Sequence, residues 1–131
     1  MVTYKTSKDF EETQLKELFA SVGWMSAAYP KRLVKALASS DTVISAWDGS
    51  RLVGLVNAID DGELTAYAHY LLVHPQYQAK GVGTALTRML KETYKDFLYL
   101  VLTAETKELV SFYERHGFHA LEGVPMALIR K

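Results

Sequence analysis

The stretch "YLLVHPQYQAKGVGTAL", residues 70–86, does most to limit what this chain can fold into. An apolar run reads as a buried strand, "VHP" stops it, and Gly81 and Gly83 follow where a helix must begin. Val82, Ala85, Leu86, Met89 and Leu90 then keep helical spacing to about Tyr94. "FLYLVLT", residues 97–103, is a continuous apolar run that reads as a strand covered on both faces. Strand, helix and strand make a crossover unit.

The start of that helix lacks what helix starts require. The first N–H groups of an α-helix have no intrahelical partner. Other helices in the chain answer this with Asp9, Pro30 and Thr106, and place Glu11, Glu12 and Glu108 near the positive end of the dipole. Here no acid occurs before Glu92, and Lys80 and Arg88 add positive charge. Gly81 and Gly83 leave room for a bulky anion to reach the backbone. Two glycines by themselves would serve equally for a tight turn. The preceding strand and the acid-free first turn favour an anion site. The P-loop pattern is absent, and Leu86 stands where a third Rossmann glycine would be.

The rest of the chain supplies a frame. Residues 9–23 read as a helix capped by Asp9, with Glu12 completing the box and Leu15, Leu18, Phe19 and Val22 as its stripe. "YPKRLVKALASS" reads as a second helix opened by Pro30. "TVISAWDGSRLVGLVNAID" reads as a hairpin around Asp48-Gly49, and a turn at residues 60–62 leads into "ELTAYAHYLLVHP". "TKELVSFYERHGF" is a last helix with Gly117 at its end, and "MALIR" reads as a closing strand. A short first strand fits residues 2–5. The order predicts one domain over residues 1–131, an α/β mixed sheet with helices on both faces.

Composition narrows the function. Lys plus Arg is 15 and Asp plus Glu is 15, so there is no basic excess for nucleic acid or an anionic membrane. The absence of cysteine excludes disulfides, thiolate metal sites and a cysteine nucleophile. The N-terminal residues lack the apolar core of a signal peptide, and no run reaches membrane-spanning length, so a cytoplasmic protein is expected.

Gln78-Ala79-Lys80-Gly81-Val82-Gly83 after "LLVHP", together with "FYERHGF" at residues 112–118, resembles the GNAT superfamily of acyl-CoA-dependent N-acyltransferases. The resemblance covers essentially the whole chain and extends, less closely, to small bacterial members and to plant plastid enzymes that acetylate aromatic amines. It implies acetyl-CoA as cosubstrate, no metal, and an acceptor that is a small-molecule or peptide amine. It leaves a homodimer open. By resemblance, the pyrophosphate rests on the backbone of Gln78, Lys80, Gly81, Val82, Gly83 and Thr84. The pantetheine arm pairs beside Leu72 and Val73, where the strand splays from "FLYLVLT", and an N–H there polarises the thioester carbonyl. Tyr113, inside "FYERHGF", becomes the proton donor to the leaving thiolate; otherwise it is a core aromatic. Relatives often carry Asn about seven residues before this tyrosine, where Thr106 stands. The closer subgroup often has Arg at Asn57 and Asp at Tyr70.

With no cysteine and no G-x-S-x-G, direct attack by the amine in a ternary complex is the simpler route. The base is open. His69 is the best single candidate; Asp60, Asp61, Glu63 and Glu105 are others, and turn acids are usually only solvated. Strand alternation would place His69 and Tyr70 on opposite faces. Trp24, Met25 and Tyr29 are expected to wall the acceptor side. His116 with His119, and His69 with His74, lack a metal-binding pattern. A non-catalytic acyl-CoA sensor module is the rival function.

Overall fold

The computed structural model describes residues 1–130. By its internal contacts the chain divides into two compact units, one over Met1–Val101 and a second from Leu102 on. The first holds a five-stranded sheet in the order β1-β2-β3-β4-β5. These are β1 (Val2–Lys5), β2 (Thr42–Asp48), β3 (Arg51–Asp60), β4 (Thr65–Val73) and β5 (Tyr99–Val101). The helices are α1 (Glu12–Ser21), α2 (Pro30–Ala38), α3 (Val82–Thr93) and, in the second unit, α4 (Lys107–Arg115). The first four strands are antiparallel neighbours, while β4 and β5, joined through α3, are parallel. Among the described residues, no helix is long and apolar enough to cross a membrane.

Alternation along β3 sorts the layers. Leu55 joins Leu15, Leu18 and Phe19 of α1 and Leu33 and Leu37 of α2 in one buried cluster. Its neighbour Gly54 faces α3 instead. A Cβ at Gly54 would lie 3.0 Å from Val82 Cγ1 and 3.3 Å from Leu86 Cδ1, so this glycine is what lets α3 settle against the sheet. The expected mixed sheet with helices on both faces is therefore what forms.

Several expectations need correction. The N-cap of α1 is Glu11, not Asp9; the Glu11 N–H donates to Gln14 Oε1 at 3.3 Å. The Asp9 N–H instead donates to Ser7 Oγ, so the chain is still turning there. The strand expected over residues 97–103 shrinks to three residues at the sheet edge, and Leu98 and Tyr99 stand 68% and 56% exposed. With these side chains in solvent, the apolar run is not covered on both faces. "MALIR" forms no strand: residues 118–130 have no regular structure, and Met126, Leu128 and Ile129 are exposed.

Candidate active site

The α3 start is built as its sequence implies. Gly81 is the N-cap, with φ +85° in the left-handed region, no side-chain cap and no acid in the first turn. A Cβ at Gly81 would meet nothing within 4 Å, so the glycine is required by its backbone angle and not by crowding. Ala79, two residues earlier, is also left-handed at φ +62°, an uncommon conformation for a residue with a side chain. The Gln78 side chain does not point free; its Nε2 donates to the Val73 carbonyl at 3.0 Å and ties the loop to the end of β4.

Beside the loop, β4 has an open edge. Pairing with β5 covers only Thr65, Ala66 and Tyr67, while β4 runs on to Val73. The other edge stays paired with β3. Tyr70 N–H donates to Asn57 Oδ1 and His74 N–H to the Val53 carbonyl, both toward β3. Strand N–H groups alternate in direction. Leu72, registered opposite Leu55, therefore also points its N–H to β3, and Leu71 and Val73 point theirs to the open edge.

His69 and Tyr70 depart from simple alternation. The register passes from Asn57↔Tyr70 to Ala58↔Ala68, so His69 is an extra residue with no partner. Such a bulge turns neighbouring side chains to one side. The two rings stack with centroids 4.2 Å apart and 13° between planes, which overturns the expectation of opposite faces. Asn57 holds the bulge. It is buried, takes the Tyr70 N–H at 3.0 Å, and donates through Nδ2 to Ser40 Oγ at 3.1 Å. Tyr70 packs edge-on to Phe19 and lies 5.7 Å from the Trp24 ring, and its hydroxyl shares a hydrogen bond with Ser26 Oγ. Of the expected acceptor wall, Trp24 is in this cluster, while Met25 and Tyr29 lie outside it and are 50% and 40% exposed.

In the second unit, Thr106 caps α4 by accepting the Leu109 N–H at 3.1 Å, and Gly117 follows at φ +91°. Tyr113 is buried between the rings of Phe112 and Phe118, and desolvation pushes its phenol up to about 12. The unfolded phenol titrates near 10, so it loses its proton first and draws the equilibrium toward unfolding. The stability that Tyr113 contributes is complete below pH ~10 and is lost as pH rises toward ~12, by about 2 kcal/mol. Urea midpoints measured across this range should fall less steeply in Tyr113→Phe.

A model of the family described as "Acetyltransferase (GNAT) domain" matches residues 7–126. The chain belongs to the GNAT superfamily. This GNAT acetyltransferase is 31% identical over 120 residues to an uncharacterized N-acetyltransferase, ycf52, of Pyropia yezoensis, covering 86% of this chain and 67% of that protein. It is 30% identical to a histone acetyltransferase, TAP1, of Glycine max, covering 91% of this chain and 56% of that protein. A solved GNAT family acetyltransferase of Streptococcus pneumoniae superposes with a TM-score of 0.85 at 29% identity, over 100% of this chain and 99% of that one.

Within this GNAT frame the carboxylate candidates separate. Asp61 Oδ1 accepts the N–H groups of Glu63, Leu64 and Thr65, which hold its carboxyl below the usual range and commit it to the turn. Asp60 accepts from the Gly62 N–H and from the Tyr94 hydroxyl at 2.8 Å. His69 carries no such duty. Its ring is covered on one side by Tyr70 and flanked by Tyr67, and desolvation lowers its pKa from 6.5. Desolvation therefore favours its neutral form. Among the described residues, no group of three or more His, Asp or Glu side chains could hold a metal.

Sequence reasoning missed Arg51. Its guanidinium donates to Glu17 Oε1 at 3.1 Å and to Gln76 Oε1 at 3.0 Å, meets His74 Nε2 at 3.1 Å, and lies 5.8 Å from the Tyr77 ring. These partners are 23 to 34 residues away in sequence, so no local pattern links them. Tyr77 also donates its hydroxyl to Asp48, on the other side of the same hairpin turn.

Proposed function

We propose that this protein moves an acetyl group from acetyl-CoA to a primary amine by direct attack in a ternary complex, with residues 1–131 acting as one N-acetyltransferase domain. The observation that carries the reading is the open β4 edge leading to an uncapped helix start: β4 runs to Val73, its pairing with β5 ends at Tyr67, and α3 begins at Val82. The backbone of Gln78 to Thr84 would take the pyrophosphate, with Lys80 adding charge. The pantetheine amides would pair along the open edge. The oxyanion donor would be the Val73 N–H, because Leu72 points the other way.

The acetyl carbonyl is attacked by the amine nitrogen, the C–N bond forms, and the C–S bond breaks. Neutral His69 would accept the proton that the amine loses, and Tyr113 would donate a hydrogen bond to the departing sulfur. The stacked His69 and Tyr70 rings, with Trp24 beside them, offer a flat apolar wall and suit an aromatic or otherwise apolar amine. A lysine side chain on a peptide is the second acceptor class, suggested by the name of the Glycine max relative.

Release of free thiol from acetyl-CoA, followed over a panel of arylalkylamines and lysine peptides, tests this directly. Turnover with an amine, together with a Tm raised by acetyl-CoA far more than by equal ATP, is the expected result. Acetyl-CoA binding with no turnover on any amine would favour a sensor module. Equal shifts from both ligands would leave only a generic anion site.

A further inference from the structure

We infer that Arg51 is a positioning residue for the acyl-CoA site, fixing the anion loop from the β2–β3 hairpin; this rests on the reading that residues 78–84 hold coenzyme A. The loop needs an external support. Ala79 and Gly81 both sit in the left-handed region, and the loop is attached to β4 through the three-residue turn Pro75–Tyr77 and the single side-chain hydrogen bond from Gln78 to the Val73 carbonyl. A segment this short has little backbone pairing of its own to set its position.

The hairpin turn supplies it from two sides. Arg51 reaches Gln76 Oε1, His74 Nε2 and the Tyr77 ring, while Asp48 accepts the Tyr77 hydroxyl. Three of the guanidinium's four partners thus lie in residues 74–77. The support continues toward the anion site. The Lys80 ammonium lies 5.6 Å from the same Tyr77 ring, next to Gly81 in sequence. The fourth partner, Glu17, anchors the guanidinium to α1.

The chemistry calls for arginine. A guanidinium fork donates in several directions in one plane, whereas a lysine ammonium reaches one or two partners at the end of a flexible stem. His74 shows why the fork must be directed well. Its Nδ1 faces the Gln76 N–H at 3.2 Å and its Nε2 faces Arg51, but a neutral imidazole accepts at only one nitrogen. One of these contacts yields at any moment, and Gln76 Oε1 keeps the guanidinium in place. The Arg51 side chain is 37% exposed and Glu17 55%, so the ion pair adds little to global stability. Position, and not folding, is what the network supplies.

That difference defines the test. In Arg51→Ala, the Kd for CoA by calorimetry and the KM for acetyl-CoA should rise about tenfold. The kcat at saturation and the KM for the amine should stay within about twofold, and Tm within about 2 °C. Arg51→Lys should fall between this variant and wild type. Gly81→Asp is measured beside them. If Gly81→Asp weakens CoA and Arg51→Ala does not, the inference fails while the CoA site stands. If neither weakens CoA, the site reading itself fails. A loss of affinity that comes with a drop in Tm of many degrees, and that Arg51→Lys leaves unrepaired, makes Arg51 a folding residue and overturns the inference.

Discussion

Tyr113→Phe is expected to lower kcat about a hundredfold while leaving acetyl-CoA affinity and Tm at pH 7 nearly unchanged. The substitution keeps the ring that packs between Phe112 and Phe118 and deletes only the hydroxyl. Burial makes the predicted role specific. A phenol pushed up to about 12 is a poor acid toward a thiolate of pKa about 8.5, and complete transfer would be uphill by roughly 5 kcal/mol. Donation of a hydrogen bond to the developing sulfur charge avoids that cost. Thiolate is already a good leaving group, so the loss belongs at the low end for acid catalysis. The check is single-turnover kinetics, where chemistry limits the rate. Wild-type turnover in that experiment would return Tyr113 to the core. Lost stability with retained kcat would mean that the hydroxyl serves structure and that the departing sulfur finds its hydrogen-bond donor elsewhere.

Gly81→Asp should weaken CoA binding by at least about 2 kcal/mol, the scale of charge-assisted hydrogen bonds disrupted. Two effects add. The carboxylate occupies the electropositive helix start that pyrophosphate needs, and the residue must hold φ +85°. Asp tolerates left-handed angles better than most side chains, so the protein should remain folded. Gly81→Ala separates the effects, since its Cβ meets open space and carries no charge. A calorimetric titration should rank wild type tightest, Ala next and Asp weakest. Equal affinities for the three would remove the pyrophosphate assignment.

What was legible in the sequence was local. The spacing of Val82, Leu86 and Leu90 gave α3 almost to the residue, and Asp48-Gly49 gave the hairpin. Thr106 caps α4 as its chemistry demands. The failures have a common cause, which is that distant residues decide them. No alternation rule reveals that His69 is an unpaired extra residue, because the bulge is fixed by a side chain on β3, thirteen positions earlier than Tyr70. The apolar run around Leu100 looked like an interior strand because hydrophobicity does not say how many neighbours a strand will find. "MALIR" has a strand's composition, but composition supplies no partner edge. Arg51 went unnoticed because its partners come from two distant segments, α1 and residues 74–77.

Asn57 and Tyr70 face each other across β3 and β4 and are joined by one hydrogen bond. They are also two positions where the family resemblance leads to an expectation of Arg and Asp instead. The two positions are therefore structurally coupled. An Arg introduced at 57 without its Asp would place a cation in a site that is 3% exposed and now filled by an amide bonded to Ser40. An Asp at 70 without its Arg would set a carboxylate against Phe19 and Trp24 in place of a phenol. Either half-step alone is expected to destabilise the fold. Exchanging both residues together, or keeping the amide that holds the bulge, is the route that avoids both costs.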